Sequence, residues 1–392
     1  MDIVVAGAGI GGLSAGIALA RRGFGVHIVE RAPELTEVGA GLQLSPNAVK
    51  VLRAIGAGDM IEAASVRPET LELRLGISGD KIFSIPMGDQ AVRRYGAPYL
   101  HIHRADLIEV LHAAALSAGV KIQLGARVAV YMREGGEFRI GLDNGDILGG
   151  DVLIGADGIR SNVRRLMLGE DRPRFTGCVA WRALAPASAL PDLPHGAVVW
   201  AGPGRHAVTY RIRGGSVVNF VGVVETNAWQ EESWDQVGDP ADLAKLFAGW
   251  DDNVTKTIAA VTTCNRWALH DRDPLATWSI GRVGLLGDAC HAMPPFQAQG
   301  AGMAIEDAFV LARCLERAGD QPASGLKRYE AIRKPRASRV LASARSNMGV
   351  FHRSNPVTQA ATYGPMKLAN AVLPAFVRSR QDWIYSHDVT KG

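Results

Sequence analysis

The sequence has few cysteines, few aromatic residues and no long block of like charge. Its four cysteines, spread over 392 residues, form no C-x-x-C pair. This spacing excludes a disulfide-rich scaffold and gives no metal-site signature. The 43 basic and 39 acidic residues leave a net charge of only +4, without a basic run of the kind that binds nucleic acid. We expect a soluble cytoplasmic protein with free thiols, no metal and no nucleic-acid partner; the cysteines are Cys178, Cys264, Cys290 and Cys314.

An uncharged run from Ile3 to Ala20 allows three interpretations: an export signal, a membrane span or a nucleotide-binding turn. A secretory signal places its basic residues before the apolar run, whereas here Asp2 precedes the run and Arg21 and Arg22 follow it. The run is slightly short for a span, which needs about 20 apolar residues. It also contains five glycines, each of which weakens a helix by roughly 1 kcal/mol relative to alanine. Neither a signal nor a membrane segment is therefore expected.

The third interpretation accounts for the glycines individually. Residues 3–5 form a short apolar strand, and Gly7, Gly9 and Gly12 follow it in the order G-x-G-x-x-G. In a dinucleotide-binding unit the first glycine makes the tight turn, the second lets the backbone approach a pyrophosphate, and the third lets the helix pack on the strand. A second strand ends in Glu30, about where an acid would hold the adenosine ribose. The order of strand, glycines, helix, strand and acid predicts dinucleotide binding.

Local patterns also predict the organisation of the rest of the chain. Ser45 and Pro46 predict the N-cap and first turn of a helix. Residues 70–97 are expected to form short strands and turns, and the segment beyond Pro335 a polar helical cover rather than a catalytic domain. We predict three units: a discontinuous α/β nucleotide-binding domain (1–75, 98–172 and 277–325), an inserted β domain (76–97 and 173–276) and a C-terminal helical cover (326–392).

Three separated elements combine a strand that ends in small residues with an acid: the opening fingerprint with Glu30, "DVLIGADG" with Asp157, and "GLLGDACHAMPP" with Asp288. With these motifs in this order, the sequence resembles the single-component FAD-dependent aromatic hydroxylases over nearly its whole length. That group includes para-hydroxybenzoate, salicylate, 3-hydroxybenzoate and 6-hydroxynicotinate hydroxylases. The resemblance implies an α/β fold: a Rossmann-like FAD-binding domain of glutathione-reductase type, an inserted β-sheet substrate domain and C-terminal helices.

The resemblance also implies which residues hold FAD. Asp288 would accept hydrogen bonds from the ribitol hydroxyls, and Asp157 belongs to a motif linked to the pyrophosphate and to the pyridine nucleotide. The helix start at Gly300, Ala301 and Gly302 would face the pyrimidine end of an anionic flavin, because unpaired amides favour negative charge. The backbone at Pro294 would lie beside the reactive edge of the flavin. The cofactor-binding residues implied are Gly7, Gly9, Gly12, Glu30, Arg31, Arg104, Asp157, Asp288, Gly300, Ala301 and Gly302.

The implied chemistry is hydroxylation of a small phenolic aromatic acid. Only one complete G-x-G-x-x-G occurs, and the resemblance assigns it to FAD, so NADH or NADPH would bind transiently and leave. Reduced flavin and O2 would then form a C4a-hydroperoxide that delivers a hydroxyl to the activated ring. A base that ionises the phenol would assist this step.

The candidate base lies in the stretch "GPGRHAVTYRIRGG". A period of two places His206, Val208, Tyr210 and Ile212 on one strand face, with the histidine and tyrosine about 13 Å apart. This face suits a small aromatic acid, and it equally suits a half-buried sheet containing a structural histidine. In family members that act on salicylate-like or hydroxynicotinate substrates, a similar histidine and tyrosine lie in the substrate pocket.

Two further positions bear on the substrate. Gln43 stands where the 6-hydroxynicotinate enzymes carry a histidine, and Phe296 is aromatic where those enzymes have a second histidine, so both positions depart from that pattern. We therefore predict Gln43, His206, Tyr210 and Phe296 as substrate contacts, His206, Tyr210 and Pro294 as catalytic positions, and a benzenoid acid as substrate.

Several alternatives remain open at this stage. Flavin-dependent halogenases and reductases share the opening fingerprint, although the halogenase motif W-x-W-x-I-P is absent. A hydroxypyridine carboxylate hydroxylase, an epoxidase or a non-catalytic FAD-binding protein also fits the motifs. The oligomeric state is undetermined, with a homodimer as one option.

Overall fold

Two large sheets organise the chain in a computed structural model that describes residues 1–35, 40–134, 137–226 and 236–391. The strands are β1 (Asp2–Ala6), β2 (Gly25–Glu30), β3 (Gly41–Leu44), β4 (Thr70–Leu75), β5 (Lys81–Pro86), β6 (Leu100–His103), β7 (Lys121–Leu124), β8 (Val128–Glu134), β9 (Glu137–Leu142), β10 (Ile147–Gly150), β11 (Val152–Gly155), β12 (Arg174–Pro186), β13 (Ala197–Gly202), β14 (Arg205–Ile212), β15 (Val217–Glu225), β16 (Gln236–Gly238), β17 (Cys264–Asp271), β18 (Ser279–Ile280) and β19 (Val283–Leu285). The helices are α1 (Ile10–Ala20), α2 (Pro46–Ala54), α3 (Gly58–Ala63), α4 (Gly88–Tyr95), α5 (Arg104–Ser117), α6 (Asn162–Leu168), α7 (Pro240–Leu246), α8 (Asp252–Ala259), α9 (Asp288–His291), α10 (Gly300–Ala318), α11 (Pro322–Phe351), α12 (Pro356–Val372), α13 (Pro374–Ser379) and α14 (Asp382–Tyr385).

The first sheet has six strands in the order β18-β19-β11-β1-β2-β7. The pairings from β19 to β7 are parallel, and β18 joins antiparallel at the edge. All four residues of β11 are buried, as expected for a strand covered on both faces. Because parallel strands end at the same edge, the loops after β1, β11 and β19 converge there. This arrangement confirms the predicted FAD-domain type of α/β fold.

Two of the fingerprint glycines are required by the packing of the protein itself. Gly7 has φ +101°, and a Cβ there would lie 2.5 Å from the carbonyl oxygen of Ala156. A Cβ on Gly12 would lie 1.9 Å from the carbonyl oxygen of Gly7. Any side chain at either position would therefore displace backbone, and the turn between β1 and α1 depends on both glycines.

The second sheet has eight strands in the order β16-β17-β12-β15-β14-β13-β4-β5. Its outer face is apolar and is covered by α7 and α8, with Trp200, Phe220, Phe247 and Trp250 in one cluster. Its inner face carries the alternate residues of the same strands and faces the cleft described below. Within the described residues, no helix is both long and apolar enough to cross a membrane.

Local differences from the sequence expectations have physical causes. Residues 88–95 form a helix instead of strands and turns, because Ala91 and Tyr95 share a buried face and Gly96 ends the helix with φ +83°. Ser45 precedes α2 but does not cap it with its side chain. Its hydroxyl instead donates to Asn47 Oδ1 (2.6 Å) and accepts from Gln299 Nε2 (2.8 Å). Both amide side chains are buried and therefore need hydrogen-bond partners.

The domain boundaries stay a prediction, and two elements bear on them. Strand β4, placed in the nucleotide-binding unit, pairs with β13 in the eight-stranded sheet. Helix α11 begins at Pro322 and runs through Pro335 to Phe351, so the C-terminal helices start before residue 326 and the proline does not mark their beginning.

Candidate functional site

A cleft of about 440 Å³ separates the two large sheets. One end is lined by the loops at the carboxyl edge of the six-stranded sheet and by the start of α10. The other end is lined by the inner face of the eight-stranded sheet and by C-terminal residues. The two predicted groups of site residues therefore meet in one cavity.

At the first end, the fingerprint loop leaves room for a ligand. Gly9 lines the cleft, and a Cβ added there would meet no atom within 4 Å. The protein itself does not require glycine at this position, unlike Gly7 and Gly12. Glu30 is fixed beside the loop, because its carboxylate accepts from the backbone N–H of Ala8 (2.8 Å) and of Ala32 (2.9 Å).

Asp288 lines the cleft at the start of α9, where its side chain is accessible from the cavity and is surrounded by protein. Burial by the surrounding protein raises the pKa of its carboxyl, and the positive charges of His291 and Arg104 act in the opposite direction. Arg104, the first residue of α5, lines the same end of the cleft. A carboxylate and a guanidinium thus face one narrow space, where they can bind hydroxyl donors and an anionic group.

The N-terminus of the 19-residue helix α10 also opens on the cleft, through Gly300 and Ala301. Its first turn has no acidic residue, so its unpaired N–H groups favour a negatively charged ligand. Gly302 is buried behind them, with the side chain of Gln299 3.2 Å from the position of an added Cβ. Ala298 has φ +51° just before this helix, a left-handed conformation that concentrates at functional sites.

Other predicted cofactor residues lie behind or beside this wall. Asp157 uses its carboxylate within the protein, accepting from Ser161 Oγ (2.5 Å) and from the N–H of Asn162 (2.7 Å) at the start of α6; the adjacent Gly158 lines the cleft. Arg31 is exposed after β2. Pro294 is buried, whereas the neighbouring Pro295 is exposed and lines the cleft.

A buried ion network supports this end of the site. Asp307 Oδ1 accepts from Arg333 Nε at 2.7 Å, and Oδ2 lies 2.6 Å from His291 Nε2. Burial alone would raise the pKa of Asp307, but His291 and Arg333 outweigh it and lower the pKa to about 2. Glu306 pairs with Arg333 and Arg336 at 2.6 and 2.8 Å. The network ties α9, α10 and α11 together around Asp288.

At the second end, β14 brings the predicted substrate residues onto the inner sheet face, where His206, Val208 and Tyr210 line the cleft. The ring of Tyr210 lies 4.6 Å from that of His101, and burial raises the pKa of its phenol. Gln43 also lines the cleft, and its Oε1 accepts from Tyr99 Oη at 2.7 Å.

His206 is 2% exposed and packs between Phe296 and Phe351, with ring centroids 5.4 and 5.2 Å away. Its Nδ1 lies 2.6 Å from Nε2 of His352. Burial, with a smaller contribution from His352, holds the pKa of His206 well below its usual value. A neutral imidazole on the cleft wall can accept a proton.

Sequence reasoning missed several residues of this end. Arg182 lines the cleft from β12, with its guanidinium carbon 4.2 Å from the ring centroid of Trp267. From the C-terminal segment, Asn347, Phe351, Gln381 and Tyr385 also line it. The segment expected to be a cover thus forms part of the wall. No local motif announces these positions, because helix packing brings them to the cleft from far along the chain.

Comparisons with known proteins agree with this geometry. The model of a family described as "FAD binding domain" matches residues 1–344. The chain is 39% identical over 353 residues to 3-amino-4-hydroxybenzoate 2-monooxygenase of Streptomyces cremeus (89% of this chain, 87% of the relative). It is 38% identical over 362 residues to 6-hydroxynicotinate 3-monooxygenase of Bordetella bronchiseptica (90% and 93%). The structure of an arginine-to-glutamine variant of Klebsiella pneumoniae HpxO in complex with FAD is similar, with a TM-score of 0.87 and 30% identity over 98% of this chain and 99% of that one.

Proposed function

The chain belongs to the FAD-binding-domain family, among the single-component FAD-dependent aromatic hydroxylases, and we propose that its substrate is a small benzenoid acid that carries a phenol. It is an NAD(P)H-dependent flavoprotein monooxygenase. When bound, reduced FAD supplies the oxygen chemistry by reacting with O2 and transferring one oxygen atom to an aromatic carbon. The protein must place the ring, exclude water and handle the phenol proton.

The residues of the first end of the cleft fit FAD. Open space at Gly9 would admit a pyrophosphate against the backbone, and the fixed Glu30 carboxylate suits ribose hydroxyls. Asp288 offers a carboxylate acceptor for the ribitol chain. The α10 N-terminus at Gly300 and Ala301 suits the pyrimidine end of an anionic flavin. The roles of Arg31, Arg104, Asp157 and Pro294 toward FAD are part of the proposal.

One observation carries the substrate proposal: a buried His206 faces the second end of the cleft while aromatic rings flank it. A nitrogen lone pair of its imidazole can take the proton of a phenol, which makes the ring more electron-rich and more reactive toward an electrophilic oxygen. Flat apolar neighbours suit an aromatic ring. His206 is proposed as the base, with Tyr210, Gln43 and Phe296 as further substrate contacts.

The sheet register supports an orientation of the acid. Arg182 pairs with Val221, which pairs with Val208 on the strand of His206. Two strand spacings of about 4.8 Å therefore separate the Arg182 and Val208 positions. A ring with its phenol toward His206 would direct a carboxylate toward the Arg182 guanidinium, a suitable partner for that group.

A substrate panel tests the proposal. The FAD-loaded protein is given NADH or NADPH in air with salicylate, 3-hydroxybenzoate, 4-hydroxybenzoate or 6-hydroxynicotinate, and with benzoate as the control that lacks a phenol. We expect a hydroxybenzoate to stimulate NAD(P)H oxidation and to gain one oxygen atom, while benzoate does neither. Turnover of 6-hydroxynicotinate alone would move the substrate to the hydroxypyridine acids, and the absence of stimulation by any phenolic acid would contradict the proposal.

A further inference from the structure

A chain of three side chains leads from the cleft to the protein surface. His206 Nδ1 lies 2.6 Å from His352 Nε2, and His352 Nδ1 lies 2.8 Å from Glu225 Oε1. The side chain of His352 is 2% exposed, whereas that of Glu225 is 46% exposed. The three residues come from β14, the end of α11 and the end of β15, so the tertiary fold alone assembles them.

The carboxylate of Glu225 determines which nitrogens of His352 and His206 carry hydrogen. A carboxylate only accepts, so His352 Nδ1 carries the hydrogen that it donates to Glu225. In a neutral imidazole the other nitrogen is then an acceptor, so His352 Nε2 receives the hydrogen of His206 Nδ1. The remaining nitrogen of His206, Nε2, is left with its lone pair. The hydrogen-bond chain therefore holds His206 in the form that can act as a base.

We propose that His352 and Glu225 form a proton relay that carries the phenol proton of the bound substrate from His206 to solvent. The phenol O–H breaks as His206 Nε2 gains a hydrogen. The Nδ1 hydrogen of His206 passes to His352 Nε2, and the Nδ1 hydrogen of His352 passes to Glu225, which releases it to water. No oxidant or reductant is needed, and the reverse sequence returns a proton to the product oxygen and restores the starting tautomers.

The surroundings of the relay suit this task. Phe296 and Phe351 border His206, and burial lowers the pKa of His352 in spite of its bond to Glu225. Beyond burial, the charged or titratable group acting on His206 is His352, and the one acting on His352 is Glu225. Cys178 pairs with Glu225 across β12 and β15, and burial followed by the charge of Glu225 raises the pKa of its thiol to about 12, so it stays neutral. Neither imidazole is trapped in the charged state, which leaves both free to pass a proton.

The inference rests on the proposed function, because the proton donor is the phenol of the substrate. Its test uses the FAD-loaded protein and the probe 3-hydroxy-4-nitrobenzoate, whose phenolate absorbs visible light. Binding is followed by the change in the flavin spectrum. A stopped-flow jump to higher pH then gives the rate at which the bound probe ionises. This rate reports on proton transfer and does not depend on oxygen chemistry.

Three variants separate a relay from a structural role. Glu225→Gln keeps an acceptor for His352 but cannot take up a proton, and His352→Ala removes the middle of the chain. We expect each to slow ionisation by about 10²-fold, the lower end of what proton-transferring side chains contribute. FAD content and probe affinity should stay within about twofold of the unmodified protein. Glu170→Gln, at an acid whose side chain is 82% exposed, serves as the control with an unchanged rate.

Chemical rescue completes the test. Added imidazole should restore much of the rate in His352→Ala and leave Glu225→Gln unchanged, a pattern that lost stability would not produce. Wild-type ionisation rates in both variants would overturn the relay while leaving the hydroxylase proposal intact. If the probe fails to bind and hydroxybenzoates also fail to stimulate NAD(P)H oxidation, the proposed function and the relay fall together.

Discussion

Asp307 and His291 form a buried pair with 2.6 Å between the carboxylate Oδ2 and the imidazole Nε2. Arg333 completes the pair on the other carboxylate oxygen. The network lies directly beside Asp288, which is proposed to bind the ribitol chain of FAD. Loss of this network should therefore both destabilise the protein and disturb the position of Asp288.

Asp307→Asn should destabilise the protein by about 3–5 kcal/mol, because it removes the carboxylate bonded to His291 and leaves Arg333 with Glu306 as its remaining buried carboxylate partner. Urea unfolding measures this loss. Asp273→Asn, at an acid whose side chain is 75% exposed, should change stability by no more than about 0.5 kcal/mol. Equal effects of the two substitutions would contradict the role assigned to the network.

The same pair predicts a pH dependence of stability with two limits. The pKa of Asp307 is lowered from 3.8 to about 2, so its contribution is present above 3.8 and is lost as the pH falls through about 2. The pKa of His291 is raised above 6.5, because Asp307 outweighs the effect of burial. Its contribution is therefore complete below 6.5 and is lost as the pH rises through the folded-state value. In Asp307→Asn, the free energy of unfolding should depend less on pH, both in the acid range set by Asp307 and in the range above 6.5 set by His291.

Gly9→Val should abolish FAD binding while the protein stays folded. The added side chain meets no protein atom at the Cβ position and instead enters the space assigned to the pyrophosphate. Flavin released on denaturation and the melting temperature measure the two effects separately. Gly149→Val, at an exposed strand glycine with equally open surroundings, should retain FAD. A yellow, FAD-loaded Gly9→Val protein would contradict the assignment.

Arg182→Met should raise KM for a hydroxybenzoate by about tenfold or more and change kcat much less. The guanidinium is proposed to bind the carboxylate in both ground and transition states, and charge-assisted bonds of this kind contribute about 1.5–3 kcal/mol. Methionine keeps an apolar contact with Trp267. A variant with unchanged KM and reduced kcat would argue against the proposed orientation of the acid.

The ease of sequence prediction differs between the two ends of the cleft, for a physical reason. The FAD end is built from tight turns: Gly7 is required by its left-handed backbone, and Gly12 by its contact with the backbone of Gly7 five residues earlier. Such constraints leave a pattern in the sequence. On β14, the alternation that places His206 and Tyr210 on the same strand face is also local, and the structure brings both to the cleft.

The relay residues and Arg182 could not be found in this way. His352 meets His206 across 146 positions of the chain, and nothing near residue 352 indicates a site. Helix α4 was missed because two buried side chains, Ala91 and Tyr95, favoured a helix in a short segment that also contains turn residues. These features depend on packing between distant elements, which leaves no periodic pattern in the local sequence.

The central claim is that this hydroxylase uses His206 to activate a phenolic acid, and His206→Ala tests it most directly. A general base contributes about 10²–10⁴-fold, so hydroxylation should slow within that range while FAD content is unchanged, because His206 lies on β14, outside the segments assigned to FAD. Uncoupled formation of hydrogen peroxide should increase, because a poorly activated ring reacts too slowly with the oxygenated cofactor. His195→Ala, at an exposed histidine, is the matched control.

The measurement is the ratio of hydroxylated product to hydrogen peroxide per NAD(P)H consumed, determined together with the melting temperature of the same His206→Ala preparation. The account predicts a large fall in this ratio and in the hydroxylation rate with FAD still bound. A normal ratio at a normal rate, accompanied only by a lower melting temperature, would show that His206 is a structural residue and would contradict the account.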